Sequence, residues 1–223
     1  EWNVGVRRVR CTGACIDAEA ATAGCRQMKI NIVPVWKQVT PELADELVAF
    51  WLENKALGDE ASARQRTEQA ICVARDENGK LQGVSTGVIR VLPRLRQPMY
   101  YYRQFFARSL RGKHQELPFY RHCKQVLQDY NADLPVAESL GILLEIENSK
   151  IAAAYKRAIE PGFDAVFIGY SPRGLELRVS YFENAVLLPP VPVRPAAAAS
   201  QRAPAAGAIP PAPRKSRKAV RRA

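Results

Sequence analysis

The hydrophobic and polar positions change period several times along the chain. Lys29-Ile30-Asn31-Ile32-Val33-Pro34-Val35-Trp36 reads as a strand. Thr40-Pro41 then supplies a hydroxyl cap followed by proline at the first helical position, and Leu43, Leu47, Phe50 and Trp51 fall on one helical face, predicting a helix to about Asn54. Residues 60–69 are polar and weakly amphipathic, a second short helix. Ile71–Arg75 and Leu81–Leu92 flank Asp76-Glu77-Asn78-Gly79-Lys80, where Asn-Gly marks a hairpin. Met99–Ala107 is a further strand rich in aromatic residues. Residues 115–130 place Tyr120, Cys123, Leu127 and Tyr130 on one helical face, with Leu117, Phe119 and Val126 beside it. Leu140–Glu147 alternates, with Leu140, Ile142, Leu144 and Ile146 on one face and Glu145 and Glu147 ending the other. A short helix through Tyr155 and strands at Phe163–Tyr170 and Leu175–Phe182 complete the series.

A strand, a long helix and another strand require a crossover to a parallel neighbour, while the hairpins require antiparallel pairing. The order therefore predicts an α+β domain of α/β/α layering, with a mixed, mostly antiparallel sheet of six or seven strands and about four helices. Its expected bounds are 28–182. Residues 1–27 have neither helical nor strand periodicity and are read as an unstructured leader or a mis-assigned start. Residues 183–223, rich in proline, alanine and arginine, are read as a disordered basic tail.

Charge distribution narrows the partners. The net charge is +11, but residues 190–223 hold eight basic residues and no acid, and residues 1–27 carry +1, leaving +2 for 28–189. The folded part thus gives no warrant for a polyanion binder, although the tail is a possible contact for nucleic acid. The apolar stretches are far shorter than the roughly 18–20 residues of a membrane span. Five cysteines, three of them Cys11, Cys15 and Cys25 without a histidine nearby, fall short of a four-ligand zinc site, and free thiols in a reducing cytoplasm fit them better. Tyr100-Tyr101-Tyr102, near Arg94, Arg96 and Arg103, would stack on single-stranded nucleic acid if exposed; packing on both faces of a central strand is the preferred reading.

The junction Phe105-Phe106-Ala107-Arg108-Ser109-Leu110-Arg111-Gly112-Lys113-His114 carries more chemistry. A strand passing through a short, basic, glycine-containing turn into a helix offers unpaired N–H groups and a positive dipole end to one spot, which suits a phosphate. A chain-reversing basic loop is the competing reading.

This turn, the element order and the downstream residues Asn148, Tyr155 and Gly162-Phe163 together resemble the GNAT acyl-coenzyme A N-acyltransferase superfamily over residues 28–182. Arg111-Gly112-Lys113 matches the first three positions of the family's Arg-Gly-Lys-Gly turn, while His114 and Glu116 replace the small residues preferred there. Three more residues than expected separate Tyr155 from Gly162. The resemblance implies splayed parallel fourth and fifth strands and acetyl-CoA as co-substrate, with no metal. It implies coenzyme A contacts from Phe105, Phe106, Ala107, Arg111, Gly112, Lys113, His114 and Gln115, with Asn148 lining the pantetheine channel. It further implies that Tyr155 protonates the departing thiolate and that the first two helices set the acceptor. Glu145 and Glu147, roughly 7 Å apart on one strand face, are candidates to take the amine's proton directly or through water, against a reading as a solvated strand end or a salt bridge with Lys150 or Arg157. The expected activity is transfer of an acetyl or similar group to a primary amine. The alternative is a catalytically silent domain of the same fold acting as a binding module.

Overall fold

A computed structural model describes residues 30–192 of the 223-residue chain. The leader 1–27 and residues 193–223 of the proposed tail lie outside the described residues. In chain order the elements are β1 (Asn31–Pro34), α1 (Pro41–Glu53), α2 (Glu60–Thr67), β2 (Ala70–Arg75), β3 (Leu81–Val91), β4 (Pro98–Phe106), α3 (Glu116–Asp133), β5 (Gly141–Ile146), α4 (Ser149–Ala154), β6 (Ile159–Glu160), β7 (Ala165–Tyr170) and β8 (Glu176–Tyr181).

The strands form one sheet in the order β1-β2-β3-β4-β5-β8-β7-β6. Every pairing is antiparallel except β4 with β5, which are parallel. The sheet has eight strands rather than the six or seven expected. The additional one is β6, two residues long, which pairs Ile159 with Val166 and Glu160 with Ala165. It lies within the longer segment between Tyr155 and Gly162. Too short to show a period, it exists only because β7 offers it an edge.

Local chemistry accounts for the helix starts. Thr40 accepts a hydrogen bond from the Leu43 N–H and Pro41 opens α1, while Asp59 accepts from Ser62 N–H ahead of α2. Alternation along β4 divides the core. Tyr100, Tyr102 and Phe106 pack with Phe119, Tyr120, Cys123 and Leu127 of α3 on one face. On the other, Phe105 lies against the cluster formed by α1 and β1–β3, and Met99 and Tyr101 join Leu143, Leu177 and Val179.

The tyrosine run is therefore core. Tyr100, Tyr101 and Tyr102 are at most 4% exposed, which removes the stacking surface for nucleic acid. Their hydroxyls reach polar partners: Tyr100 donates to Glu138 at 2.5 Å, Tyr101 to Glu145, and Tyr102 to Gln104 at 2.9 Å. Cys72 and Cys123 are buried free thiols, and Cys11, Cys15 and Cys25 lie outside the described residues. Among the described residues no group of three or more His, Cys, Asp or Glu side chains is placed to hold a metal ion, and no helix is long and apolar enough to cross a membrane.

Residues 183–192 follow β8 without regular structure, yet they have fixed partners. Gln97 and Leu188 exchange two hydrogen bonds at 2.8 and 3.0 Å, and Val191 is bonded to Arg96 twice, at 2.9 and 3.1 Å. The start of the segment read from sequence as tail is thus tied to the β3–β4 loop.

Candidate active site

The parallel pair opens the site. β4 and β5 pair only at Tyr100–Ile142, Tyr101–Leu143 and Tyr102–Leu144. Beyond that, β4 stays with β3 as far as Phe106 and β5 stays with β8 as far as Ile146, so the two strands part. Backbone groups of residues 103–106 that point toward β5 are left without a strand partner. This is the splay the resemblance implies.

β4 then runs into the basic turn. Ala107 N–H donates to the Gln82 carbonyl, Ser109 Oγ donates to Gln82 Oε1 at 2.7 Å, and buried Leu110 anchors the loop. Gly112 has φ of +74°, a conformation costly for residues with a Cβ, and open space around it. His114 shares the left-handed conformation, at φ +56°. Lys113 and His114 are exposed, and Gln115 immediately precedes α3 without a side-chain cap. The amides of Glu116 and Leu117 are therefore available to an anion. Pro118, the third residue of α3, has no N–H and contributes none.

Arg111 is exposed, and its side chain is also tied to the strand end. Its Nε donates to the Phe106 carbonyl at 2.9 Å, and its guanidinium lies 4.9 Å from the Phe105 ring. It braces the turn through Nε, and Lys113 beside it is a second exposed cation. A cavity of about 290 Å³ borders the same junction on its α1 side, lined by Phe50, Glu53, Lys80, Ala107, Arg108 and Ser109 among others.

Tyr155 immediately follows α4. Asn148 is exposed and caps this helix, its Oδ1 accepting from Lys150 N–H at 2.9 Å. The Tyr155 ring stands edge-on to Phe163 at 5.1 Å, and Phe163 in turn packs on Tyr120 of α3 at 5.2 Å. Gly162 faces the Leu117 side chain, and its carbonyl accepts from Arg121 at 3.2 Å. The β6–β7 turn thereby brings Tyr155 to the α3 side of the sheet, where the turn and the first turn of α3 lie. Among the described residues, the Tyr155 hydroxyl makes no hydrogen bond.

Arg178, which the sequence analysis did not single out, fixes this segment. Its side chain is 5% exposed, and it donates to the carbonyls of Tyr155 at 2.9 Å and Arg157 at 2.8 Å and to Glu176 at 3.1 Å. A guanidinium in mid-strand looks like a surface residue until the chain after α4 folds over it.

Glu145 and Glu147 do share a face and an ion pair, but with Arg173 rather than with Lys150 or Arg157. Arg173 Nη2 lies 2.7 Å from Glu145 and 2.8 Å from Glu147. Burial pushes the Glu145 carboxyl up, but hydrogen bonds from Arg173, Ser171 and Tyr101 together with the Arg173 charge outweigh it and hold it at about 2. A carboxylate so stabilised is a weak proton acceptor. Glu147, half exposed at the strand end, has no such enclosure.

No family profile matches the chain, and no curated protein matches it. Among solved structures it is similar to an acetyltransferase of the GNAT family from Streptococcus pneumoniae, with a TM-score of 0.47 and 16% identity over 69% of this chain and 99% of that one. It is also similar to a GNAT-family acetyltransferase from Listeria monocytogenes, with a TM-score of 0.41 and 14% identity over 72% and 99% of the two chains. A third is AtaTR bound with acetyl-CoA, with a TM-score of 0.42 and 14% identity over 68% and 94%.

Proposed function

We propose that this chain is an acyl-CoA-dependent N-acyltransferase that moves an acetyl or related acyl group from coenzyme A to a primary amine by direct attack. The observation that carries the reading is the splay: two parallel strands part after three paired residues, and one runs directly into a glycine-containing turn that ends at the open N-terminus of α3. An acyl-pantetheine arm fits between separated strands, and its pyrophosphate fits the amides of Glu116 and Leu117 with Lys113 beside them.

In this reading, unpaired N–H groups on the β5-facing edge of β4 stabilise the oxygen of the attacked thioester. Tyr155, whose hydroxyl is uncommitted, protonates the departing thiolate. The amine proton leaves through Glu147, directly or by water, while Glu145 holds Arg173 in place.

A second reading, a catalytically silent domain of the same fold, is favoured by the turn itself: Pro118 lacks an amide and Glu116 puts a carboxylate beside the anion site. Calorimetric titration of the full chain with acetyl-CoA separates the two. Micromolar binding that weakens at least about tenfold in Lys113→Glu supports the enzyme. Absence of binding by folded protein overturns it.

A further inference from the structure

We infer that arginines gathered around Tyr101, at the mouth of the splay, form a subsite for a carboxylate carried by one of the two reactants. This rests on the acyl-transfer reading for the identity of those reactants, but the electrostatic argument stands on the side chains alone.

Arg90 and Arg103 place their guanidinium carbons 4.4 and 4.6 Å from the Tyr101 ring centre. Arg103 Nη2 donates to the Tyr101 hydroxyl oxygen at 3.2 Å, and its Nε is buried without a hydrogen-bond partner. Arg66, half-buried at the end of α2, is close enough to feel Arg103: burial and then repulsion from Arg103 weaken its hold on its proton, offset in part by Glu147 and Tyr101. Two carboxylates are at hand, and Arg173 engages both. Among the described residues Arg66, Arg90 and Arg103 therefore have no carboxylate within ion-pair distance.

Arg90 is exposed, but Arg66 and Arg103 are partly buried, and like charges so placed with an unused N–H cost free energy until an anion arrives. The unused donor belongs to a fork that accepts a carboxylate through two parallel bonds. The position fits a reacting group rather than the pyrophosphate. Arg103 is the residue immediately after Tyr102, where β4 and β5 separate, whereas β4 continues to Phe106, roughly 10 Å further, before the turn begins. Arg103 shares its sheet face with Tyr101 and, across the splay, with Glu145. The carboxylate could belong to the acyl chain of the thioester or to the accepting amine.

The full chain is titrated at fixed ionic strength with acetyl-CoA and with succinyl-CoA by calorimetry. In parallel, melting temperatures are measured with β-alanine and with propylamine, each with and without acetyl-CoA. Arg103→Gln and Arg66→Gln are compared with wild type and with Lys55→Gln, an exposed charge elsewhere, all checked for folding by circular dichroism. Succinyl-CoA binding about tenfold tighter than acetyl-CoA, lost in either arginine variant, assigns the carboxylate to the acyl chain. Stabilisation by β-alanine but not by propylamine, lost in the same variants and kept in Lys55→Gln, assigns it to the amine. Equal responses to charged and uncharged probes, or a preference that survives both arginine variants, overturns the subsite. If acetyl-CoA fails to bind while the β-alanine preference persists, the acyl-transfer reading falls and the subsite stands.

Discussion

The buried guanidinium of Arg178 donates to the backbone carbonyl of Tyr155 at 2.9 Å, so the residue proposed as general acid is positioned by a charge on β8, twenty-three residues further along the chain. The same side chain bonds the Arg157 carbonyl and pairs with Glu176. Replacing Arg178 by Met removes three bonds and leaves Glu176 with its longer contact to Lys156 at 3.4 Å. Loss of one partner of a buried pair predicts destabilisation of about 3 kcal/mol, measured by urea unfolding. Arg178→Lys keeps the charge but cannot span both carbonyls, and in that variant transferase turnover is expected to fall more than acetyl-CoA affinity.

Tyr155→Phe deletes one hydroxyl from a ring held by Phe163. Stability and acetyl-CoA binding are expected to remain near wild type. The rate of acyl transfer is expected to fall by about 100-fold, the scale of a lost general acid. Stopped-flow detection of released thiol measures this directly, and an unchanged rate would show that water or another group protonates the thiolate.

Glu145 sets an acid limit on stability. Its folded carboxyl titrates at about 2, below the 4.5 of an unperturbed glutamate. Because the folded state lowers this value, the stabilisation is fully present above about pH 4.5 and is lost as the pH falls toward 2. Glu145→Gln removes that component. Urea midpoints measured from pH 6 downward should therefore fall less steeply in the variant than in wild type.

Gly141 opens β5 opposite Tyr181, and an added Cβ would lie 2.2 Å from the Ser180 carbonyl oxygen and 2.7 Å from the Tyr181 Cα. Both are backbone atoms of a paired strand and cannot rotate away. Gly141→Ala is expected to separate β5 from β8 at this end and cost several kcal/mol, about 3 or more, in thermal or urea unfolding. An Ala variant as stable as wild type would mean that the two strands sit further apart than described.

Much of this architecture was legible in the chain because its elements announce themselves locally. Thr40-Pro41 starts α1, the apolar stripe through Tyr120, Cys123 and Leu127 specifies α3, and the alternation of Ile142, Leu144 and Ile146 with Glu145 predicts β5, although Leu143 makes its other face core as well. The candidate turn at Arg111-Gly112-Lys113 was equally visible, since glycine within a basic strand-to-helix junction is a local signal. What side chains do at that junction was not. Arg111 reads as a phosphate ligand in sequence, and nothing local announces that its Nε donates to the Phe106 carbonyl while its guanidinium lies by the Phe105 ring.

The sequence by itself determined the element order, the parallel step between β4 and β5, and the residues available for chemistry, because caps, periodicity and turn residues act over a few positions. Only the tertiary structure decided β6, the pairing of Glu145 and Glu147 with Arg173, and the clamp of Arg178 on Tyr155. Each of these depends on partners some twenty or more residues apart, or on an edge that exists only after the sheet has formed. Their energies come from burial and from the geometry of approach, neither of which is written in local spacing.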